Sequence, residues 1–407
     1  MKCGLLGRKL GHSYSPQIHA LLGNYSYQLF EKEPEEIGDF LKNGDFTGLN
    51  VTIPYKKEVI PFLDELSPAA ARLGAVNTIV HWDGKLIGHN TDYFGFRRLV
   101  QESGLQVAEK KVLVLGSGGA SSTAVAVLQE LGAKVTVISR SGENNYENLD
   151  RHADAAVIVN TTPVGMYPNT GKSALSLEGF PRLEGVLDAV YNPARTQILL
   201  DAERRGLAAV NGLWMLVAQA KESAEWFTGE EIPDSRIAKI HHTLRLQMEN
   251  IILIGMPGCG KTAVGQQLAQ KLGKKFVDAD ESLEARVCRK ITDIIPNDGE
   301  AAFREMESET LAELGKQSGL VIATGGGCVT QPQNYPLLHQ NGTIFWLKRE
   351  LDKLPTDGRP LSQKGTLGQM YEARMPLYLR FADAAISNDG SIAETASAIC
   401  RKLEETT

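Results

Sequence analysis

Residues 250 to 262, Asn-Ile-Ile-Leu-Ile-Gly-Met-Pro-Gly-Cys-Gly-Lys-Thr, constrain the fold more than any other stretch of the chain. The run 251–254 is apolar and mostly β-branched, which predicts a strand, and residues 255–262 fit G-x-x-x-x-G-K-[ST] with Gly255, Gly260, Lys261 and Thr262 at the fixed positions. Strand, tight loop and helix are therefore expected in that order. Glycines let the backbone curl so that its N–H groups face an anion, and the succeeding helix offers its positive end to the same point. In such a cradle Gly258, Cys259, Gly260 and Ala263 lie along the phosphates of ATP, Lys261 reaches the β- and γ-phosphates, and Thr262 can ligate Mg²⁺. A loop of this kind normally comes after the first strand of its domain, so Met248 reads as a second beginning. Residues 1–247 need a separate account.

A chain of 407 residues has room for two to three domains. Its 42% hydrophobic and 23% charged residues are those of a globular protein with real cores. A net charge of −6, with no basic block and no Lys/Arg-rich amphipathic stretch, argues against nucleic-acid or membrane-surface partners. The five cysteines (Cys3, Cys259, Cys288, Cys328, Cys400) are scattered and form no C-x-x-C pair, which suits reduced thiols. The apolar run at the N-terminus is too short for a signal peptide, and no segment approaches 18 consecutive apolar residues, so a cytoplasmic location is expected.

Residues 2 to about 88 alternate short apolar runs with helical periods. Strands are predicted at 3–6, 27–30, 49–53 and 76–80, and Asp83-Gly84 reads as a hairpin turn before another at 86–88. Polar residues collect at the strand ends: Gly11-His12-Ser13-Tyr14-Ser15-Pro16, Asn50-Val51-Thr52-Ile53-Pro54-Tyr55-Lys56, Gly74-Ala75-Val76-Asn77-Thr78 and Gly88-His89-Asn90-Thr91-Asp92. Ser13 and Ser15 could equally cap a helix, but in open α/β sheets such strand ends are where ligands bind.

The section from 110 to about 211 reads as a dinucleotide-binding unit. A strand at 112–115 runs into Gly116-Ser117-Gly118-Gly119-Ala120-Ser121, then a helix at 122–131 and a second strand at 135–138. After that second strand, where an NAD enzyme carries an acidic residue, stand Ser139 and Arg140. A cation there suits a 2′-phosphate and favours NADP over NAD, although Arg140 beside Glu143 could also be a solvated surface charge. Strands at 156–159 and 186–190 lead to Gly212-Leu213-Trp214-Met215-Leu216-Val217-Ala218-Gln219-Ala220, an apolar helix whose polar exception, Gln219, is expected to return to the first domain. Residues 230–247 contain no Pro/Gly/Ser linker, which predicts a short junction. His241 and His242 are adjacent, point in different directions and have no further ligands nearby, so they read as a solvated helix end.

The ordered set Gly-His-Ser-x-Ser-Pro, Asn-Val-Thr-Ile-Pro-x-Lys, Gly-Ala-Val-Asn-Thr, Asn-Thr-Asp-x-x-Gly, Gly-Gly-Ala-Ser, Asn-Thr-Thr-Pro-x-Gly-Met (160–166) and Gly-Leu-x-Met-Leu-Val-x-Gln-Ala resembles shikimate dehydrogenase over residues 1–247. The resemblance implies NADP-dependent interconversion of 3-dehydroshikimate and shikimate. It makes Lys56 and Asp92 the catalytic pair, with Ser13, Ser15, Thr52, Asn77, Tyr191 and Gln219 around the substrate. Gly116, Ser117, Gly118, Gly119, Ala120, Ser139, Arg140 and Gly212 become the cofactor residues. One departure stands out: the family commonly has Asn-Arg-Thr where this chain has Ser139-Arg140-Ser141.

Beyond the cradle, a strand at 275–277 runs into Asp278-Ala279-Asp280-Glu281. On an extended segment carboxylates at i and i+2 point to one side, so one can reach a metal shell and the other an acceptor hydroxyl; the alternative is Asp280 as a helix N-cap. Phe303-Arg304-x-x-Glu307, Gly325-Gly326-Gly327, Arg359-Pro360-Leu361 and Arg374-Met375-Pro376-Leu377-Tyr378 come next, and with the cradle they resemble shikimate kinase over 248–407. That resemblance implies transfer of the γ-phosphoryl group of ATP to the 3-hydroxyl of shikimate. Asp280 becomes the base, Arg304, Gly326 and Arg374 the substrate contacts, Thr262 and Asp278 the Mg²⁺ ligands, and Arg359 a cation closing over the phosphates.

The expected architecture is α/β throughout. A substrate domain (1–92 plus about 212–247) and a Rossmann NADP-binding domain (93–211) precede a P-loop kinase domain with a parallel sheet (248–407). The product of the first enzyme is the substrate of the second, which supports reading one bifunctional enzyme. Two rival readings are a quinate-type or NAD-preferring dehydrogenase in the first half, and one half reduced to a silent binding module.

Overall fold

Short apolar strands that alternate with helices form three sheets in this computed structural model, which describes residues 1–11, 13–354 and 367–405. The chain divides into two units, Met1–Val164 with Ser173–Tyr191 and Ile198–Thr243, and Gly165–Lys172 with Asn192–Gln197 and Leu244–Thr407.

In the first unit, β1 (Lys2–Gly7), β2 (Ser26–Glu31), β3 (Gly48–Val51), β4 (Glu65–Leu66), β5 (Thr78–Trp82) and β6 (Lys85–His89) form a mixed sheet in the order β2-β1-β3-β5-β6-β4. β1 pairs in parallel with β2 and β3, while β5 runs antiparallel to β3 and β6. The β5–β6 turn is the predicted Asp83-Gly84, with φ of 48° and 77°, as a type I′ hairpin requires. A second sheet, β7 (Lys111–Leu115), β8 (Lys134–Ile138), β9 (Val157–Asn160), β10 (Gly185–Asp188) and β11 (Ala208–Val210), is wholly parallel in the order β11-β10-β9-β7-β8. Its strands read as continuous apolar runs because both faces are covered. The order reverses at β7, which makes the carboxyl end of that strand the crevice for a ligand.

The helices of this part are α1 (Ser15–Leu22), α2 (Ile37–Asn43), α3 (Pro68–Leu73), α4 (Asp92–Glu102), α5 (Gly119–Glu130), α6 (Gln197–Arg204), α7 (Leu213–Thr228) and α8 (Ser235–Met248). As expected from Gln219, α7 packs back on the first sheet. Gly95 permits this on α4, since a Cβ there would fall 2.6 Å from the Met215 carbonyl oxygen. Gly48 does the same on β3, beneath the Phe227 ring. His241 is not a solvated helix end: its ring stacks on Trp214 with centroids 3.7 Å apart, because α8 turns an apolar face with buried Ile237 and Ile240 inward.

In the second unit, β12 (Asn250–Ile254), β13 (Lys275–Asp278), β14 (Leu320–Ala323), β15 (Gly342–Lys348) and β16 (Ala384–Ser387) form a parallel sheet in the order β13-β14-β12-β15-β16. All five residues of β12 are buried, as suits its central place. Around the sheet lie α9 (Lys261–Leu272), α10 (Ala279–Val287), α11 (Ile291–Lys316), α12 (Asn334–His339), α13 (Leu367–Phe381) and α14 (Ile392–Glu405). α11 is broken near Pro296 by Gly299 at φ 89°, and its second stretch carries Phe303, Arg304 and Glu307 inward. Among the described residues no helix is long and apolar enough to cross a membrane.

Two candidate active sites

The polar strand ends of the first unit converge around an ammonium–carboxylate pair. β3 ends at Val51, earlier than the predicted residue 53, and the chain turns outward with Ile53 78% exposed. The turn brings Lys56 back: its carbonyl accepts from Val76 N at 2.7 Å, and its Nζ donates to Asp92 Oδ2 at 2.5 Å. Asp92 opens α4, where the positive helix end favours a carboxylate. Both side chains are mostly buried yet retain solvent access, as a group that exchanges a proton with a bound molecule requires.

Asn77 is 3% exposed, and its orientation is fixed by the Thr91 backbone N–H, which donates to Asn77 Oδ1 at 2.7 Å. Asn77 Nδ2 then faces Thr91 Oγ1 at 3.0 Å and Gln219 Oε1 at 3.5 Å. The Gln219 amide nitrogen donates to Leu216 O at 2.9 Å. Ser13 and Ser15 do not cap α1: Tyr14 is the N-cap and makes no side-chain cap bond, while Ser13 Oγ accepts from Ser15 N at 3.2 Å. Tyr191, just past β10, meets that loop through the Tyr14 ring, edge to face at 6.1 Å. Thr52 is tied by its N–H to Leu6 O at 3.0 Å. Lys56 with Asp92 and Asn77 with Gln219 are thus brought into direct contact. His12, in the first motif, lies outside the described residues.

At the crevice of the parallel sheet, Gly116 has φ 111° and lies against Thr161 Oγ1, so only glycine makes the turn. α5 begins at Gly119, three residues before the predicted start, placing Gly119 and Ala120 in its first turn beside Ser117 and Gly118. A Cβ at Gly118 or Gly119 would meet nothing within 4 Å: this backbone faces open space, as a dinucleotide phosphate site requires. Ser139 and the exposed Arg140 come directly after β8, and the Ser139 N–H is fixed on Asn144 O at 3.1 Å. Gly212, the N-cap of α7, lies so close to Ala189 that a side chain there would strike its backbone.

The second unit holds a cavity of about 520 Å³ that runs from the phosphate loop to Arg304 and Arg374. Gly258 and Gly260 have φ of 82° and 96°, which curl the loop. Lys261 is buried and donates to the Gly255 and Met256 carbonyls at 3.0 and 3.1 Å, so its charge is held inside the loop. Cys259 is buried, and Ala263 lines the cavity. Asp278 and Asp280 do not share an extended segment. β13 ends at Asp278, whose Oδ1 caps α10 by accepting from Asp280 N at 3.0 Å, and Asp280 lies in the first helical turn. The alternating pattern stops here because a capping carboxylate starts a helix immediately. The other oxygen, Asp278 Oδ2, accepts from Thr262 Oγ1 at 3.0 Å, and this hydroxyl–carboxylate set fits a hard divalent ion.

Arg304, 7% exposed, pairs with Glu307 at 2.9 Å and Glu300 at 3.0 Å. The three glycines have separate reasons. A Cβ at Gly325 would strike Glu307 and Asp280, one at Gly326 would strike Pro257, and one at Gly327 would strike the Arg304 guanidinium. The Gly326 carbonyl accepts from Tyr378 Oη at 2.5 Å and from Arg374 at 3.3 Å. Burial, with Asp278 beside it, raises the pKa of Asp280. Burial likewise raises Glu307, and for Arg304 the cost of burial is outweighed by Glu307 and Glu300, which raise it further. Glu307 Oε1 is buried with no hydrogen-bond partner among the described residues, which leaves a place for a donor from a bound polyol. Arg359 lies outside the described residues.

Two contributors were given no role from the sequence. Glu307 closes the Phe-Arg-x-x-Glu motif, three residues after Arg304 on one helix face. Asn388 donates to Cys259 O at 2.6 Å from 129 residues away, and no local pattern announces it.

Fold and sites together define a nicotinamide-dinucleotide oxidoreductase joined to a P-loop phosphotransferase. Residues 5–79 match the shikimate dehydrogenase substrate binding domain, and residues 257–404 match shikimate kinase. Shikimate dehydrogenase (NADP(+)) of Clostridium perfringens (strain SM101 / Type A) is 37% identical over 264 residues, covering 60% of this chain and 97% of that protein. A chorismate mutase/shikimate 5-dehydrogenase fusion protein from Clostridium acetobutylicum is 36% identical, with a TM-score of 0.57 over 60% of this chain and 96% of its own. Shikimate 5-dehydrogenase from Thermus thermophilus, solved in complex with NADP(H) and shikimate, is 30% identical with a TM-score of 0.54, covering 60% and 99%. The chain belongs to the shikimate dehydrogenase family and carries a shikimate kinase domain after it, so it unites an NADP-dependent oxidoreductase with a phosphotransferase of the shikimate pathway.

Proposed function

We propose that residues 1–247 reduce 3-dehydroshikimate to shikimate and that residues 248–407 phosphorylate the 3-hydroxyl of the product, in the cytoplasm. The Lys56–Asp92 pair carries the first assignment. When bound, NADPH supplies a hydride, ATP the phosphoryl group and Mg²⁺ charge neutralisation. Lys56 gives a proton from Nζ to the nascent alkoxide, and Asp92 holds the ammonium in place. Ser13, Ser15, Thr52, Asn77, Tyr191 and Gln219 match a polyol with neutral donors and acceptors, which discriminates against analogues lacking a hydroxyl. The open glycine backbone at 118–119 would take the pyrophosphate and Arg140 the 2′-phosphate.

In the kinase cavity Asp280 accepts the proton of the 3-hydroxyl as its oxygen bonds to the γ-phosphorus and the bond from that phosphorus to the bridging oxygen breaks, releasing ADP, while Arg304 and Arg374 hold the acid's carboxylate. Thr262 and Asp278 would hold the ion, and Lys261, inside the loop, would lend its charge to the phosphates. A single assay tests the whole reading: 3-dehydroshikimate, NADPH and Mg·ATP supplied together yield shikimate 3-phosphate with one NADPH consumed per phosphoryl group transferred. No NADPH consumption removes the first half of the proposal, and NADPH consumption without phosphate transfer removes the second. Separate oxidation assays of shikimate and quinate, each with NADP⁺ and NAD⁺, show which acid and which cofactor are preferred.

A further inference from the structure

One hydroxyl in the first unit has more partners than it has bonding positions. Ser223, fully buried on α7, lies 2.8 Å from Asn50 Nδ2, 2.8 Å from Thr78 Oγ1, 3.0 Å from Thr91 Oγ1 and 2.9 Å from Gln219 O. A serine hydroxyl has one proton and two lone pairs. Its proton goes to the Gln219 carbonyl, so Ser223 must accept from Asn50 and from one of the two threonines. Asn50 is oriented from its far side by Tyr27, whose hydroxyl donates to Asn50 Oδ1 at 2.7 Å. A line of bonds thus runs from β2 through β3 and into α7.

We propose that Ser223 is a positioning residue for the dehydrogenase pocket, fixing the rotation of α7 and with it the place of the Gln219 side chain. This inference rests on the reading that Asn77 and Gln219 hold the substrate. The Gln219 amide is tied by Nε2 to Leu216 O at 2.9 Å, a carbonyl of the same helix, so it turns with α7, while Oε1 reaches Asn77 Nδ2 and Thr91 Oγ1 only at 3.5 Å; the rotation of α7 therefore decides where Oε1 meets the pocket. Ser223 lies one turn later on the same face and joins the Gln219 carbonyl to Asn50 and to one of the two threonine hydroxyls. Apolar residues could fill this volume without any such directional demand. A fully bonded polar cluster in its place fixes one arrangement of the elements it joins.

The test is steady-state oxidation of shikimate with NADP⁺ by the full chain carrying Ser223→Ala, Tyr27→Phe or Gln219→Ala. Ser223→Ala should raise the KM for shikimate about tenfold, the equivalent of one lost buried hydrogen bond, with the KM for NADP⁺ within about twofold of native. Tyr27→Phe keeps the ring, loosens Asn50 from the opposite end and should move the shikimate KM the same way by about threefold. If Ser223→Ala does not fold, Tyr27→Phe decides alone. The inference fails if both variants leave the shikimate KM within twofold of native, or if both constants rise together. Should Gln219→Ala raise the KM while those two do not, only the role of Ser223 is lost. Should the native chain ignore shikimate, or Gln219→Ala change nothing, the underlying reading of the pocket falls and this inference with it.

Discussion

Lys56 and Asp280 are each proposed as the proton-handling group of a separate reaction, and each can be removed alone. Lys56→Ala should lower dehydrogenase turnover by about 10²- to 10⁴-fold, the usual worth of a positioned general acid, and leave phosphoryl transfer near native. Asp280→Asn should do the reverse, as measured by coupled assays of each half. The raised pKa of Asp280, caused by burial and then by Asp278, gives two pH effects. As a base it works only when deprotonated, so kinase activity falls as pH drops through its folded pKa, at a pH above that for an ordinary aspartate near 3.9. For stability the sign is opposite. A carboxyl whose folded pKa exceeds its unfolded one favours the native state below the unfolded pKa, and that contribution is lost as pH rises through the folded pKa. Asp280→Asn should therefore raise the melting temperature of the kinase unit at pH 7, and the gain should shrink toward acid pH.

At the scale of elements, glycines at close approaches decide how helices meet. Gly95→Ala would push α4 off the Met215 carbonyl and should cost about 1–3 kcal/mol of stability by chemical denaturation. Gly327→Ala would displace the Arg304 guanidinium and should raise the kinase KM for shikimate while sparing the KM for ATP, since the phosphate loop is untouched. These motifs were legible as words in the sequence: the strands, the hairpin at Asp83-Gly84, both glycine turns and the return of Gln219 all arise from local pattern. Long-range reasons were not legible. Nothing near Gly95 says that Met215 sits against it, and nothing near Cys259 points to Asn388. Where the local pattern misled, a competing bond was responsible. Asp278 starts a helix where alternation implied a strand, and Trp214 draws in a histidine that the polar run around it made look solvated.

For the molecule as a whole, the two proposed sites differ in chemistry but take one carbon skeleton as substrate, and no side chain proposed for one is proposed for the other. A chain with Lys56→Ala mixed with a chain with Asp280→Asn should therefore restore conversion of 3-dehydroshikimate to shikimate 3-phosphate, read as product formed from the mixture against each variant alone. Asp278 lends the second site a linkage of its own. One oxygen of its carboxylate holds the first turn that carries Asp280, and the other faces the Thr262 hydroxyl. Whatever settles beside Thr262 consequently pulls on the same group that anchors the base, so a filled nucleotide pocket and a correctly aimed proton acceptor become one event, felt across a single side chain.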